Sequence, residues 1–194
     1  MNILSIDIDY AFSPSICDYD DYIEGSRISL AEQSKINRKL NLPRPKANQN
    51  TIEYLRQVIQ DKTTSLTPII IAEHHHKIME YLPSFPFTIT NFDHHHDILY
   101  PGWHDLNKID EGNWVSFLNT TPITKFTWVR NKGSENIELS SHLKFPFEET
   151  YKPEVEVLPH FDLVFGCSSC HWTGLHGRHY LFQVLEASCA ISKI

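Results

Sequence analysis

Residues 87–97 read FTITNFDHHHD: a short, mostly apolar run of strand-favouring residues leads directly into two carboxylates and three imidazoles. Two other stretches share this design. Residues 68–76 read PIIIAEHHH, and residues 2–9 read NILSIDID. Short runs rich in Ile and Phe are the pattern of strands buried on both faces, as a parallel sheet requires. Each of the three ends in Asp, Glu or His.

Working outward, the segments between these runs read as helices and loops. Residues 10–28 are aromatic and acidic, broken by Pro14 and Gly25, and read as a loop. A polar helix is expected over Ile28–Leu40, stopped before Pro43 and Pro45, with 41–49 as a connector. Asn50 or Thr51 is expected to cap a helix running to Lys62, with Ile52, Leu55, Val58 and Ile59 on one face. Short helices are expected over Lys77–Leu82 and Gly112–Leu118, strands over Ile123–Val129 and Phe161–Phe165, and a closing amphipathic helix over Tyr180–Ile191. Residues 136–160 give no clear pattern. Strands alternating with helical segments predict an α/β domain with a mostly parallel sheet, and 194 residues suit a single domain, 1–194.

Composition narrows the function. With 17 basic against 24 acidic side chains, the formal charge is −7, the wrong sign for a nucleic-acid surface. No apolar run approaches the roughly 18 residues that span a bilayer, so no membrane role is expected. The first residues lack the charged start and apolar core of a signal peptide, and a cytoplasmic protein is expected. Four cysteines do not make a disulfide scaffold at this length. The unusual figure is 12 histidines, two triplets of which close apolar strands.

In open parallel sheets, ligands bind beyond the carboxyl ends of the strands, so the three Asp- and His-loaded ends should converge on one edge. On extended strand ends alternate residues share a side, which groups Asp7 with Asp9, and Asp93 with His95 and Asp97. His94 and His96 then face elsewhere and suit substrate-facing roles. Crowded carboxylates repel unless a cation neutralises them. Four carboxylates with one or two imidazoles and no thiolate suit two divalent cations. That set favours manganese, with iron, cobalt and zinc left open by softness alone.

The motif Asp93-His94-His95-His96-Asp97 resembles the D-x-H-x-D metal motif of the ureohydrolase (arginase and agmatinase) superfamily. His75 resembles the histidine that those enzymes carry at the end of the preceding strand. Ser5-Ile6-Asp7-Ile8-Asp9 resembles the S-x-D-x-D part of their S-x-D-x-D-x-x-x-P segment, with the proline, Pro14, one residue later than in that pattern. The order departs from that of arginases, because the D-x-D segment comes first here, and the chain is much shorter. A circularly permuted, trimmed three-layer α/β/α sheet explains both departures. That arrangement is similar to the small peptide arginases, through Ile71–His76, Asn91–Asp97 and Glu111-Gly112-Asn113-Trp114. The resemblance covers residues 1–14 and 70–118, and little beyond.

The resemblance implies a manganese-dependent hydrolase with two Mn2+ per chain. Its partner would be a ribosomally made precursor peptide, whose arginine side chains become ornithine with release of urea through a metal-bridging hydroxide. It implies Asp93 and Asp7 as bridging ligands, His75 and Asp97 completing one metal, and His95 and Asp9 the other. The proton shuttle has no clear match, and His94, His96 and His171 are its candidates. Glu111 is the candidate guanidinium partner, while Asp18, Asp20 and Asp21 in the first loop would attract a cationic side chain. The rival readings are a related amidohydrolase (a deacetylase, or a ureohydrolase of free arginine or agmatine) and a non-catalytic, metal-stapled peptide-binding module. Cys167-Ser168-Ser169-Cys170-His171 also matches C-x-x-C-H. Haem attachment is disfavoured without export, a zinc site from Cys167, Cys170, His176 and His179 is the next reading, and two ordinary buried cysteines are the plain one.

Overall fold

Six strands form one sheet in the order β2-β6-β1-β3-β4-β5: β1 (Asn2–Asp7), β2 (Ile69–Ala72), β3 (Phe87–Phe92), β4 (Ile123–Arg130), β5 (Phe147–Tyr151) and β6 (Leu163–Cys167). Every pairing within it is parallel. The computed structural model describes residues 1–12, 46–99, 107–134, 142–169, 173 and 175–188. Among the described residues, three α-helices accompany the sheet: α1 (Gln49–Lys62), α2 (Trp114–Phe117) and α3 (Leu175–Leu185). Among the described residues, no helix is long and apolar enough to cross a membrane.

The alternation along β1 creates two cores. Leu4 and Ile6 face one side, where α1 packs through Ile52, Leu55, Val58 and Ile59, and α3 through Leu181, Val184 and Leu185. Ile3 faces the other, with Phe87 and Ile89 of β3, Phe126 and Trp128 of β4, and Trp114, Val115 and Ile78 above them. Both faces of the central strands are therefore covered, whereas β2, whose apolar run predicts a fully buried strand, is a sheet edge with Ile71 exposed. Gly166 on β6 allows α3 to lie close, since a side chain there would meet Leu181 at 2.9 Å.

Connections stepping toward the β2 edge (β1 to β2, β5 to β6) pack on the α1 face, and those stepping the other way (β2 to β3, β3 to β4) pack on the opposite face. These four crossovers thus share one hand, as strand twist demands. The chain turns from one face to the other beside β1, so the carboxyl ends of β1, β3 and β6 border the topological switch point.

Several boundaries differ from the sequence reading. The first strand, which the apolar pattern predicts over Asn2–Ile8, stops at Asp7, because Asp7 caps a 3-10 turn over Ile8–Ala11 by accepting from the Asp9 N–H. Asn48, not Asn50 or Thr51, caps α1, accepting from the Asn50 and Thr51 N–H groups. The expected Lys77–Leu82 helix is a 3-10 helix over His75–Tyr81, and the Gly112–Leu118 helix shrinks to Trp114–Phe117 with a 3-10 turn behind it. The strand expected over Phe161–Phe165 is Leu163–Cys167, and the closing helix starts earlier, at Leu175. β5 (FEETY) lies within 136–160, where no pattern was legible. The expected helix over Ile28–Leu40, residues 13–28 of the expected loop and the far end of the expected Tyr180–Ile191 helix lie outside the described residues.

Candidate metal centre

The carboxyl edge of the sheet gathers the Asp- and His-loaded ends. β1 and β3 pair in register, with Ser5 beside Asn91 and Ile6 beside Phe92, so Asp7 and Asp93 leave the sheet as neighbours. β6 lies on the other side of β1, with Cys167 beside Asp7, and its next residues reach the same edge. His75 begins the 3-10 helix that leaves β2 to cross toward β3. Asp7, Asp9, His75, Asp93 and Asp97 are all buried, and His95 is half-buried.

The side chains converge on His75. Its Nδ1 stands 2.9 Å from Asp93 Oδ2, 3.3 Å from Asp97 Oδ2 and 3.4 Å from Asp7 Oδ2. Close as they are, Nδ1 makes no hydrogen bond of acceptable geometry and faces the space that the three carboxylates enclose. An imidazole nitrogen orphaned among buried carboxylates is an arrangement that a cation resolves. Asp7, His75 and Asp93 form one group able to hold a metal ion; Asp9, Asp93 and His95 form a second, and Asp93 belongs to both. In the second group His95 Nδ1 lies 2.8 Å from Asp9 Oδ2. The donors are carboxylates and imidazoles without a thiolate, a set that fits manganese or another borderline-to-hard divalent ion.

The convergence does not arise from strand alternation, as the sequence reading had it. β3 ends at Phe92, and Asp93–Asp97 is irregular backbone in which Asp97 takes a left-handed conformation (φ 51°). The turn, not the pleat, brings Asp97 round to His75.

Charge crowding leaves its mark on the acid–base behaviour of these side chains. Burial and then the neighbouring Asp9 and Asp93 hold the Asp7 carboxyl well above its ordinary range. Burial, Asp97 and Asp9 push Asp93 up to about 7. Asp9 is opposed by burial, but His95 and His94 outweigh it and draw Asp9 down to about 2. Burial works against charging His75 and His95, yet the facing carboxylates raise both: Asp93, Asp97 and Asp7 for His75, and chiefly Asp9 for His95. The metal-free site therefore takes up protons that a cation would displace.

Groups outside the donor set orient it. Ser5 Oγ lies 2.7 Å from His75 Nε2, leaving Nδ1 to face the carboxylates. Ser169, in a left-handed conformation (φ 41°) just after β6, donates its hydroxyl to Asp7 Oδ2 at 2.5 Å. Asn91 Nδ2 donates to Asp93 Oδ2 at 3.1 Å, and Trp114 Nε1 to Asp97 Oδ2 at 2.7 Å. Such partners fix the direction of ligands. Sequence reasoning passed over Ser169 and Asn91. Asn91, two residues before Asp93 on a buried strand, carried a usable signal; Ser169 carried none. Replacing Ser5 by alanine leaves the buried Nε2 of His75 without a partner, so the metal-free protein is expected to lose about 1–3 kcal/mol in denaturant unfolding.

The remaining candidates divide by place. His94 is half-buried at the edge, its Nδ1 3.0 Å from Asn131 Oδ1 and its backbone N–H bonded to Asp9 Oδ1. His96 turns inward: it is buried, its Nδ1 accepts from the Ile98 N–H at 3.1 Å, and its ring meets Trp128 edge-on. Glu111 pairs with His74, both partly exposed beside His75, and that pairing raises the His74 pKa. His171, Asp18, Asp20 and Asp21 lie outside the described residues, as does Cys170. Cys167 is buried with Sγ against Glu73 O and Ser169, while His176 and His179 are exposed on α3; among the described residues, no group of metal donors includes any of the three. No known family profile, no curated protein and no solved structure matches this chain.

Proposed function

We propose that this chain is a manganese-dependent peptide arginase, a permuted member of the arginase-like three-layer α/β/α hydrolases. Its substrate would be arginine side chains of a ribosomally made precursor peptide. The observation that carries this reading is the sharing of Asp93 between two Asp/His groups, one buried and one reaching half-buried His95, at the carboxyl edge of a parallel sheet. A single-ion site has no use for two groups joined through one carboxylate. The Asp93–Asp97 and Ser5–Asp9 motifs, in the order of the small peptide arginases, supply the choice of chemistry.

In this reading Asp93 would serve both metals, with Asp7, His75 and Asp97 holding one and Asp9 and His95 the other. When bound, a pair of divalent ions acidifies water to near neutrality and polarises the group under attack. The chain's own residues do the rest. Asp9, drawn down to about 2, stays ionised at any working pH. Glu111, at the rim and partly exposed, offers the carboxylate that a planar guanidinium needs, with His74 holding it in place. His94 is better placed than the inward-facing His96 to deliver a proton to the departing side-chain nitrogen. The balance is simple: water adds to the guanidinium carbon, the C–Nε bond breaks, both water protons end on Nε, urea leaves, and the peptide keeps an ornithine side chain as its ammonium.

The test is urea release with manganese supplied, run in parallel on an arginine-containing peptide and on free arginine. Urea from the peptide alone is the expected result. Urea from free arginine too would make the chain a general ureohydrolase. No urea from either substrate would sink the arginase reading and turn attention to an amidohydrolase or a metal-stapled binding module.

A further inference from the structure

Trp114 is wholly buried, and its indole touches two of the groups that face the candidate metal position. Nε1 donates to Asp97 Oδ2 at 2.7 Å, the oxygen that faces His75 Nδ1 at 3.3 Å. The indole ring packs on the His75 imidazole, with centroids 4.8 Å apart and planes tilted by 45°. Behind it the ring meets Phe126 of β4, so it has no freedom to turn. The backbone secures the same contact from the other side: the Val115 N–H donates to the Asp97 carbonyl at 3.0 Å, and Ser116 Oγ donates to the Ile98 carbonyl. Asp97 needs such a clamp. Its left-handed backbone is uncommon for any residue but glycine and persists only where surroundings enforce it.

We propose that Trp114 is a positioning residue for metal binding: its indole N–H and ring together aim the Asp97 carboxylate and the His75 imidazole at one cation, the one held by the Asp7–His75–Asp93 group. The inference rests on the two-metal reading above and adds to it an asymmetry. The Asp9–Asp93–His95 group touches no part of α2 through these contacts, so loss of the indole N–H weakens one ion and spares the other. Four-residue α2 thus owes its place less to length than to what its first turn holds.

The experiment titrates metal-free protein with Mn2+ alone, following free Mn2+ by electron paramagnetic resonance, in wild type, Trp114→Phe, Asp97→Ala and the double variant. Wild type is expected to take two ions. Trp114→Phe, which keeps an aromatic ring and loses the N–H, is expected to weaken one of the two steps by about 10–100-fold and leave the other unchanged. In the Asp97→Ala background the same change should have little further effect, because the N–H acts through that carboxylate. A generally loosened fold would instead weaken both steps and persist in the double variant. Should the smaller ring not fold, β-(3-benzothienyl)alanine at position 114 keeps the indole shape and deletes only the N–H. Two wild-type affinities in either variant would overturn the proposal. Wild-type protein that binds no Mn2+ would overturn the two-metal reading itself, a different failure with a different signature.

Discussion

Asp93→Asn is expected to abolish Mn2+ binding at both positions and bring urea release below detection, while the metal-free protein keeps its fold. Asp93 is the one residue common to both donor groups, so its charge is counted twice in the metal balance. Loss of an outer partner alone typically costs 10–100-fold in metal affinity, and loss of a shared ligand should exceed about 100-fold at each position. The fold is spared because asparagine has the same shape. Its side-chain oxygen can still accept from the His95 N–H, as Asp93 Oδ1 does at 2.9 Å, the Trp128 indole bonds to the untouched backbone carbonyl, and a flip of the Asn91 amide lets its Oδ1 accept from the new Nδ2 where Asn91 Nδ2 now donates to Asp93 Oδ2. Removing a buried charge that Asp97 and Asp9 repel also relieves strain in the metal-free state. Equilibrium dialysis with Mn2+, set beside urea unfolding of the metal-free protein, separates these effects. Two ions bound with wild-type affinity by the variant would remove Asp93 from the site.

Much of this site was legible because parallel strands advertise themselves. NILSID and FTITNF are buried on both faces, IIIA is an only partly buried edge strand, and the residues that follow all three emerge at the same edge. That argument is topological and survives an error in local geometry. The alternation invoked for Asp93, His95 and Asp97 does not apply to the irregular backbone they occupy, yet the three still gather where expected. β5 escaped notice for the converse reason. FEETY is an edge strand with exposed glutamates, and an edge strand facing solvent has no need of a continuous apolar run. Ser169 was illegible because its place depends on β6 lying beside β1, a pairing between residues more than 150 positions apart. Trp114 stood out as part of a motif, but only its packing on His75 says what it does.

The second large effect is a metal-dependent stability that grows with pH. Asp93 ionises near 7 in the folded, metal-free protein against an ordinary value of 3.8, so between about pH 4 and 7 the folded state binds the extra proton. Stability from that proton is complete below the unfolded value and is lost as pH rises through the folded one. Asp7, His75 and His95 are displaced in the same direction and add to the loss, with the histidines acting above their ordinary 6.5. Asp9 is displaced the other way, down to about 2, and its contribution fades only below about pH 4, outside the window. Metal-free protein is therefore expected to melt at a lower temperature at pH 8 than at pH 5.5. Cations reverse the trend, since they compete with the same protons. Mn2+ at 100 times its dissociation constant adds about 2.7 kcal/mol per site. At roughly 2–4 °C per kcal/mol for a chain of this size, one saturated site should raise the melting temperature by about 5–10 °C at pH 8. The rise should shrink sharply at pH 5.5, where protons already occupy the carboxylates. Calorimetry with EDTA or Mn2+ at the two pH values reads the difference directly. A metal-induced shift of equal size at both would mean that the ion binds elsewhere, away from the buried carboxylates.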